Sequence, residues 1–368
     1  MTEEHGKSTG PEAPVEPTPA PAAAEFLSAD ALARIDSLIA EAGEDPASFD
    51  GRLLRDLVIT SLKLIKDERE TGELKLITAA VKEIRHAYRV FARYRDALKI
   101  SIFGSARTPP GHPDYIAAVE FSKMMAAKQW LCITGAGDGI MKAGHEGPGR
   151  EASFGLSIRL PFETTANSII AGDDKLINFR YFFTRKLMFV SQADAVACFP
   201  GGFGTQDEAF EILTLIQTGK SEMKPIVMVE GEHGDYWRHW ENYIRRSLLD
   251  KGFISPEDRN LYYIAEDPAD AVQHVCRFYR NYHSSRYVRD DLVIRLRTPL
   301  RPEHVDILNA EFAGLVKSGA IVQRAALPEE SGEFADLPRL VFTHTRRQFG
   351  LLRTLIDRIN SFDPARAG

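Results

Sequence analysis

Cysteine is scarce in this sequence: Cys132, Cys198 and Cys276 are the three in 368 residues, and no Cys-x-x-Cys pair occurs. An odd number at wide spacing supports neither a disulfide framework nor a zinc ribbon. Two of the three lie in apolar runs that read as buried strands, where a thiol serves as a small hydrophobe. Long apolar runs are missing too. No stretch approaches the ~18 residues expected of a membrane-spanning helix. Residues 1–25 are rich in Pro, Glu, Ala and Thr, the composition of a disordered tail, and lack the apolar segment of a signal peptide. The expectations are therefore no membrane partner and a cytoplasmic location. Charge of one sign is also modest. A net charge of -6 gives no general pull toward nucleic acid, although a local basic pocket remains compatible with it. HExxH is absent, and no His, Cys or carboxylate cluster has metal-ligand spacing, so no metal is expected. GxxxxGK[ST] is absent as well, which disfavours a P-loop nucleotidase.

What is present is an ordinary globular composition, 44% hydrophobic, at a length that allows two domains or one with attachments. Residues 26–97 read as a helical extension. Leu54, Leu57, Val58, Leu62 and Ile65 recur at helical spacing, and Ala79 to Tyr94 contain no Gly or Pro. The charged residues of this extension read as a solvated face. From Leu98 the pattern becomes short apolar runs alternating with helices. Strands are predicted over 98–103, 130–134, 152–160, 194–199, 225–229 and 262–265. Helices are predicted over 115–128, 181–192, 206–219, 236–249 and 268–283. This alternation predicts a Rossmann-like, doubly wound parallel α/β sheet over residues 98–285. Residues 286–368 read as a small α+β unit, with strands over 292–296, 320–326 and 340–344 and helices over 304–317 and 349–359. That unit carries no assignable motif; assembly, regulation and a plain structural cap all stay open.

Ligands of open α/β sheets bind beyond the carboxyl ends of the strands. Three Gly-rich turns fall there: Gly104-Ser105-Ala106-Arg107, Gly135-Ala136-Gly137-Asp138-Gly139, and Gly201-Gly202-Phe203-Gly204. Glycine lets backbone N–H groups approach an anion, and a following helix start adds its dipole, so such turns suit a phosphate. GxGxxG is not matched, which makes a dinucleotide dehydrogenase a poor fit. His145 reads as a structural or solvated loop residue, and Asp173-Asp174 as a turn.

Two runs go further. Pro200-Gly201-Gly202-Phe203-Gly204-Thr205-Gln206-Asp207-Glu208 follows Arg185-Lys186-Leu187-Met188, with Glu208 standing 23 positions after Arg185. The PGGxGTxxE loop with a preceding RKxxM helix resembles the LOG family of phosphoribohydrolases, some of which are labelled lysine decarboxylases. The resemblance covers about residues 98–283. It extends to Gly104–Arg107, to Gly139-Ile140-Met141, and to Gly155–Asn167 with Leu160-Pro161 inside it. It implies an enzyme that splits a purine nucleoside 5′-monophosphate, AMP or a cytokinin riboside monophosphate, into free base and ribose 5-phosphate. It also implies a homo-oligomer.

On this reading Gly201, Gly202, Gly204 and Thr205 cradle the phosphate, assisted by Ser105 and Gly104. Arg185 and Glu208 form the catalytic pair. Glu208, at a helix start, is expected to be held in its ionised form by the helix dipole. Gly137 belongs to the substrate-binding turn. Met141 and Asn167 either line the base pocket or serve core and turn. Lys186 is either a ligand contact or a solvated lysine, and Asp207 a helix-start acid or a ribose contact. Lys142, Gly144 and His145 stand where relatives carry Glu, Ala and Asn, and Gly135-Ala136-Gly137 replaces a triple glycine, so the base-side contacts differ. No site for pyridoxal phosphate is recognisable, and no cofactor is expected. The same fold also serves carriers of molybdenum cofactor, which leaves a non-catalytic binding protein as the alternative.

Overall fold

The computed structural model describes residues 26–159, 166–330 and 332–363. The tail expected over 1–25 and the Leu160-Pro161 pair lie outside the described residues. Two units are distinguished, one up to Ala79 and one from Ala80. In the first, helices α1 (Ala29–Glu41) and α2 (Phe49–Lys63) begin at Ser28 and Ser48. Each serine hydroxyl accepts the amide three residues on, which satisfies one open N–H at the helix start. Ile35, Ile39 and Ile59 form their small common core. Helix α3 (Thr71–Phe91) runs across the division.

The second unit holds seven parallel strands: β1 (Lys99–Phe103), β2 (Leu131–Thr134), β3 (Ser153–Ile158), β4 (Leu176–Phe179), β5 (Ala195–Cys198), β6 (Ile226–Met228) and β7 (Tyr263–Ile264). Their order across the sheet is β4-β3-β2-β1-β5-β6-β7. The helices between them are α4 (Pro113–Ala127), α5 (Ile140–Glu146), α6 (Phe182–Ser191), α7 (Phe203–Gln217), α8 (Tyr236–Tyr243) and α9 (Pro268–Phe278). Side chains alternate across a strand, so a strand buried on both faces feeds two cores. In β5, Ala195 and Ala197 pack with Phe121 of α4 and Val275 of α9, whereas Val196 and Cys198 pack with Ile212 of α7. A third core joins Phe91 of α3 to Phe154, Phe179 and Phe189, with the Phe91 and Phe154 rings stacked at 4.7 Å. This is the doubly wound α/β sheet expected from the alternation.

The chain then forms β8 (Tyr282–Val288), β9 (Asp291–Leu296), α10 (Pro302–Glu311), β10 (Val316–Arg324), β11 (Arg339–His344) and α11 (Phe349–Ser361). The four strands make an antiparallel sheet in the order β10-β11-β9-β8. Its apolar face and α11 share a core with helices α7 and α8: Ile294, Phe342 and Ile356 cluster with Ile212 and Trp237. Among the described residues no helix is long and apolar enough to cross a membrane.

Several elements differ from the sequence expectation. Helix α7 starts at Phe203 instead of Gln206. Strand β4, four residues long, and helix α5, which runs through Gly144, were not anticipated. The helix expected to reach His283 stops at Phe278, and β8 follows. Only Tyr282 of β8 is fully buried, so this edge strand lacks an apolar pattern. The helix expected over 304–317 ends at Glu311, and Val316 and Lys317 belong to β10.

Candidate active site

The sheet reverses its strand order between β1 and β5, whose ends are paired from Ile100↔Ala195 to Phe103↔Cys198. A crevice is expected beyond the carboxyl ends at such a point. A cavity of about 1370 Å³ lies there, walled by the loops after β1, β2 and β5 and by α6. Gly104, Ser105, Gly137, Met141, Arg185, Gly201, Gly202, Gly204, Thr205 and Glu208 all line it. Lys186 does not.

Two carbonyls of the Pro200–Gly204 loop are occupied by neighbouring donors. Pro200 accepts the Ser105 amide at 3.1 Å, and Gly201 accepts the Tyr236 hydroxyl at 2.6 Å. Tyr236 in turn accepts from Gln206 Nε2, which ties the loop to α8. A Cβ on Gly201 would stand 2.1 Å from Thr205 Oγ1, so the loop folds tightly on its helix. At Gly202 and Gly204 a Cβ would meet nothing within 4 Å, and neither residue takes a left-handed backbone. Neither packing nor conformation demands glycine at these two positions. What it leaves open is space beside the Phe203 and Gly204 amides that begin α7; the Thr205 and Gln206 amides already donate to Gly202 O at 3.1 Å.

Across the cavity, Gly139 adopts φ +62° with Ser105 O only 2.2 Å from the place of a Cβ, and Ile140 N donates to that oxygen at 3.0 Å. Only glycine permits this approach, which ties the β1 loop to α5.

Glu208 departs from expectation. Because α7 starts at Phe203, Glu208 lies in the second turn, where the helix-end dipole has faded. It is 7% exposed. Burial pushes its carboxyl up from 4.5 to about 7, against the opposing charges of Lys186 and Arg185. The ionised form is therefore disfavoured by burial and partly restored by two cations. Lys186 is neither solvated nor a cavity contact. Its Nζ lies 2.8 Å from Asp207, 2.5 Å from Glu211 and 4.0 Å from Glu208. Burial lowers the Lys186 pKa, but those partners outweigh it and hold the ammonium above its ordinary value. Arg185 spreads its guanidinium over Phe182 at 5.1 Å and Phe189 at 5.7 Å. Asp207 also lines the cavity.

Helix α6, which carries Arg185, is anchored by a residue that the sequence reading left on a solvated face. Glu83 of α3 accepts the Arg180 amide at 2.9 Å and the Thr184 hydroxyl at 2.7 Å. Arg107, Arg159 and Asn178 line the cavity and were not proposed as site residues. Asn178 belongs to β4, a strand too short to signal itself in the sequence, and Arg107 stands in the Gly104–Arg107 motif, which by itself gives it no role.

Asn167 does not line the cavity. Its Nδ2 donates to Gly137 O at 3.0 Å, and its amide donates to Ala136 O at 2.8 Å, which is turn duty. His145 is structural, but it sits in α5 instead of a loop and is fully buried. Its Nε2 stands 2.9 Å from Phe154 O, a pure acceptor, so that nitrogen carries the proton. Burial lowers its pKa, which keeps the ring neutral. Asp173 accepts both the amide and the ammonium of Lys175 at 2.8 Å, as a turn residue.

Comparison with known proteins fits this arrangement. Residues 135–275 match the family described as "Possible lysine decarboxylase". Over 168 residues the chain is 29% identical to a cytokinin riboside 5′-monophosphate phosphoribohydrolase of Mycobacterium tuberculosis, covering 45% of this chain and 87% of that protein. Over 214 residues it is 24% identical to a probable enzyme of the same name from Oryza sativa subsp. japonica, covering 57% and 78%. Among solved structures, the molybdenum cofactor binding protein from Rippkaea orientalis is similar at 20% identity with a TM-score of 0.35, covering 48% and 94%. The decarboxylase description would imply pyridoxal phosphate, which needs a lysine for its Schiff base. No lysine is among the described residues lining the cavity, and Lys186 is held by Asp207 and Glu211, so these residues do not fit that cofactor.

Proposed function

We propose that the cavity of this LOG-family domain hydrolyses the N-glycosidic bond of a purine nucleoside 5′-monophosphate. The products are free base and ribose 5-phosphate. One observation carries the reading: a single cavity combines a helix start opened by Gly202 and Gly204 with a buried carboxyl, Glu208, that titrates near neutrality.

The 5′-phosphate sits on the amides of the Gly201–Gly204 segment and on the Thr205 hydroxyl, with the Ser105 hydroxyl beside it. Amides at a helix start suit a dianion without lysine. Holding the phosphate fixes the sugar, so binding energy far from C1′ lowers the barrier at C1′. In the reaction the electron pair of the C1′–N bond leaves with the base. Positive charge spreads over C1′ and the ring oxygen, water attacks from the opposite face, and the proton that water loses balances the one that the departing base takes up. Ionised Glu208 stabilises that charge. In a buried site the carboxylate is poorly solvated before reaction, and the developing cation relieves this, so the interaction is stronger in the transition state than in the ground state. Arg185 anchors phosphate or orients the carboxylate, since its planar fork bonds either one bidentately. Met141 and Gly137 lie toward the base. The names of the relatives support AMP or a cytokinin riboside monophosphate as substrate.

The test is incubation without added metal with AMP, GMP, IMP, CMP and isopentenyl-adenosine monophosphate, following base and ribose 5-phosphate by chromatography. Release of a purine supports the reading and ranks the substrates. Binding by calorimetry without release of any base contradicts it and assigns the cavity to nucleotide carriage or sensing.

A further inference from the structure

A second cavity, of about 470 Å³, lies where β11 leads into α11. Lys317, His344, Thr345, Arg346, Arg347 and Asp290 are among the residues that line it. Three of these are cations and one is an acid, in a chain whose net charge is -6. Arg346 is held in place: it donates to Arg289 O at 2.7 Å, faces Asp290 at 3.7 Å and lies over the Tyr287 ring at 4.5 Å. Lys317 and Arg347 form no ion pair among the described residues. Thr345 Oγ1 is buried without a hydrogen-bond partner. His344 is 2% exposed; its Nδ1 meets the Tyr287 hydroxyl at 2.6 Å, and the Arg347 backbone lies against its ring. Arg346 and Gln348 hold left-handed backbones, φ +57° and +58°, without being glycine. Such strain persists where surrounding structure enforces it and gathers at ligand sites.

Uncompensated cations and a buried hydroxyl without a partner are the donor set of a phosphate site. The cavity is larger than one phosphate requires. We infer that this pocket binds a small molecule bearing a di- or polyphosphate group, at a place separate from the catalytic cavity. It also has a packed connection to α7. The His344 ring meets Phe349 at 5.6 Å, and Phe349 covers Gly219, where a Cβ would stand 2.3 Å from its ring. Gly219 closes the helix whose other end carries Gly204 and Glu208.

The test is calorimetric titration of the full chain with inorganic pyrophosphate, alongside the Lys317→Glu/Arg347→Glu variant. Both side chains are exposed, so the fold should be kept. The wild type is expected to show one class of pyrophosphate site that the variant lacks, or binds at least about tenfold more weakly, while AMP binding is unchanged. If the charge-reversed chain fails to fold by circular dichroism, Lys317→Gln/Arg347→Gln takes its place with the same expected loss. Thr345→Val should weaken the same site severalfold. An isotherm unchanged by these substitutions, or no pyrophosphate binding beyond the catalytic cavity, overturns the inference. The readout needs no turnover, so it stands apart from the proposed hydrolysis.

Discussion

Replacing Glu208 by Gln should stabilise the protein at alkaline pH. In the folded chain burial raises this carboxyl to about 7, against an ordinary value of 4.5 that the unfolded chain retains. Between those values the folded chain keeps a proton that the unfolded chain has released. Stability from this group is therefore greatest below 4.5, falls as pH rises, and has lost its full share above about 7. Moving a carboxyl that far corresponds to about 3 kcal/mol. Glutamine has nearly the same shape and no charge to desolvate, so it removes the penalty. At pH 8 the variant should gain about 3 kcal/mol, and at pH 5 less than about 1 kcal/mol. For a unit of this size that corresponds to roughly 6–10 °C in melting temperature at pH 8 and a much smaller shift at pH 5. Melting curves of both proteins at the two pH values decide it. A variant that melts no higher at pH 8 than the wild type, or an equal shift at both pH values, would refute the burial argument.

Three further outcomes are expected. Because the ionised form of Glu208 stabilises the transition state, the wild-type rate should climb with pH through about 7; a profile flat from pH 5.5 to 8.5 would contradict that role. Gly204→Ala should leave the melting temperature unchanged or slightly raised, since alanine suits a helix better than glycine by roughly 0.5–1 kcal/mol. The same change should raise KM for the nucleotide about tenfold by occupying the space beside the α7 amides, and an unchanged KM would remove those amides from phosphate binding. Glu83→Ala should lower kcat about tenfold by loosening the start of α6, with Glu83→Gln restoring part of it, because an amide oxygen can still accept one of the two bonds. Equal turnover in all three proteins would limit Glu83 to a structural role.

The sequence was most informative where chemistry is written in contiguous backbone. Pro200–Thr205 and Gly104–Arg107 form loops whose glycines act within a few residues, so their place at strand ends could be read directly. The parallel sheet was legible for the same reason, since strands such as Ala195–Cys198 are apolar on both faces. What could not be read depends on distant partners. Glu83 reaches Thr184 across 101 positions. The ionisation of Glu208 follows from burial by the assembled fold, and its helix begins earlier than composition suggested because Phe203, 96% exposed, gives no apolar signal of a helix start. Edge strands β8 and β10 carry mixed polarity and take their register from β9 and β11.

Base release driven by Glu208 from a phosphate-anchored nucleotide is open to single-turnover assays of the wild type and Glu208→Gln with AMP and with adenosine. Expected are adenine and ribose 5-phosphate in equal amounts from AMP, little reaction with adenosine, and a loss of ~10²-fold or more in the variant with nucleotide binding retained. Equal rates in the two proteins, or equal reaction of AMP and adenosine, would contradict it.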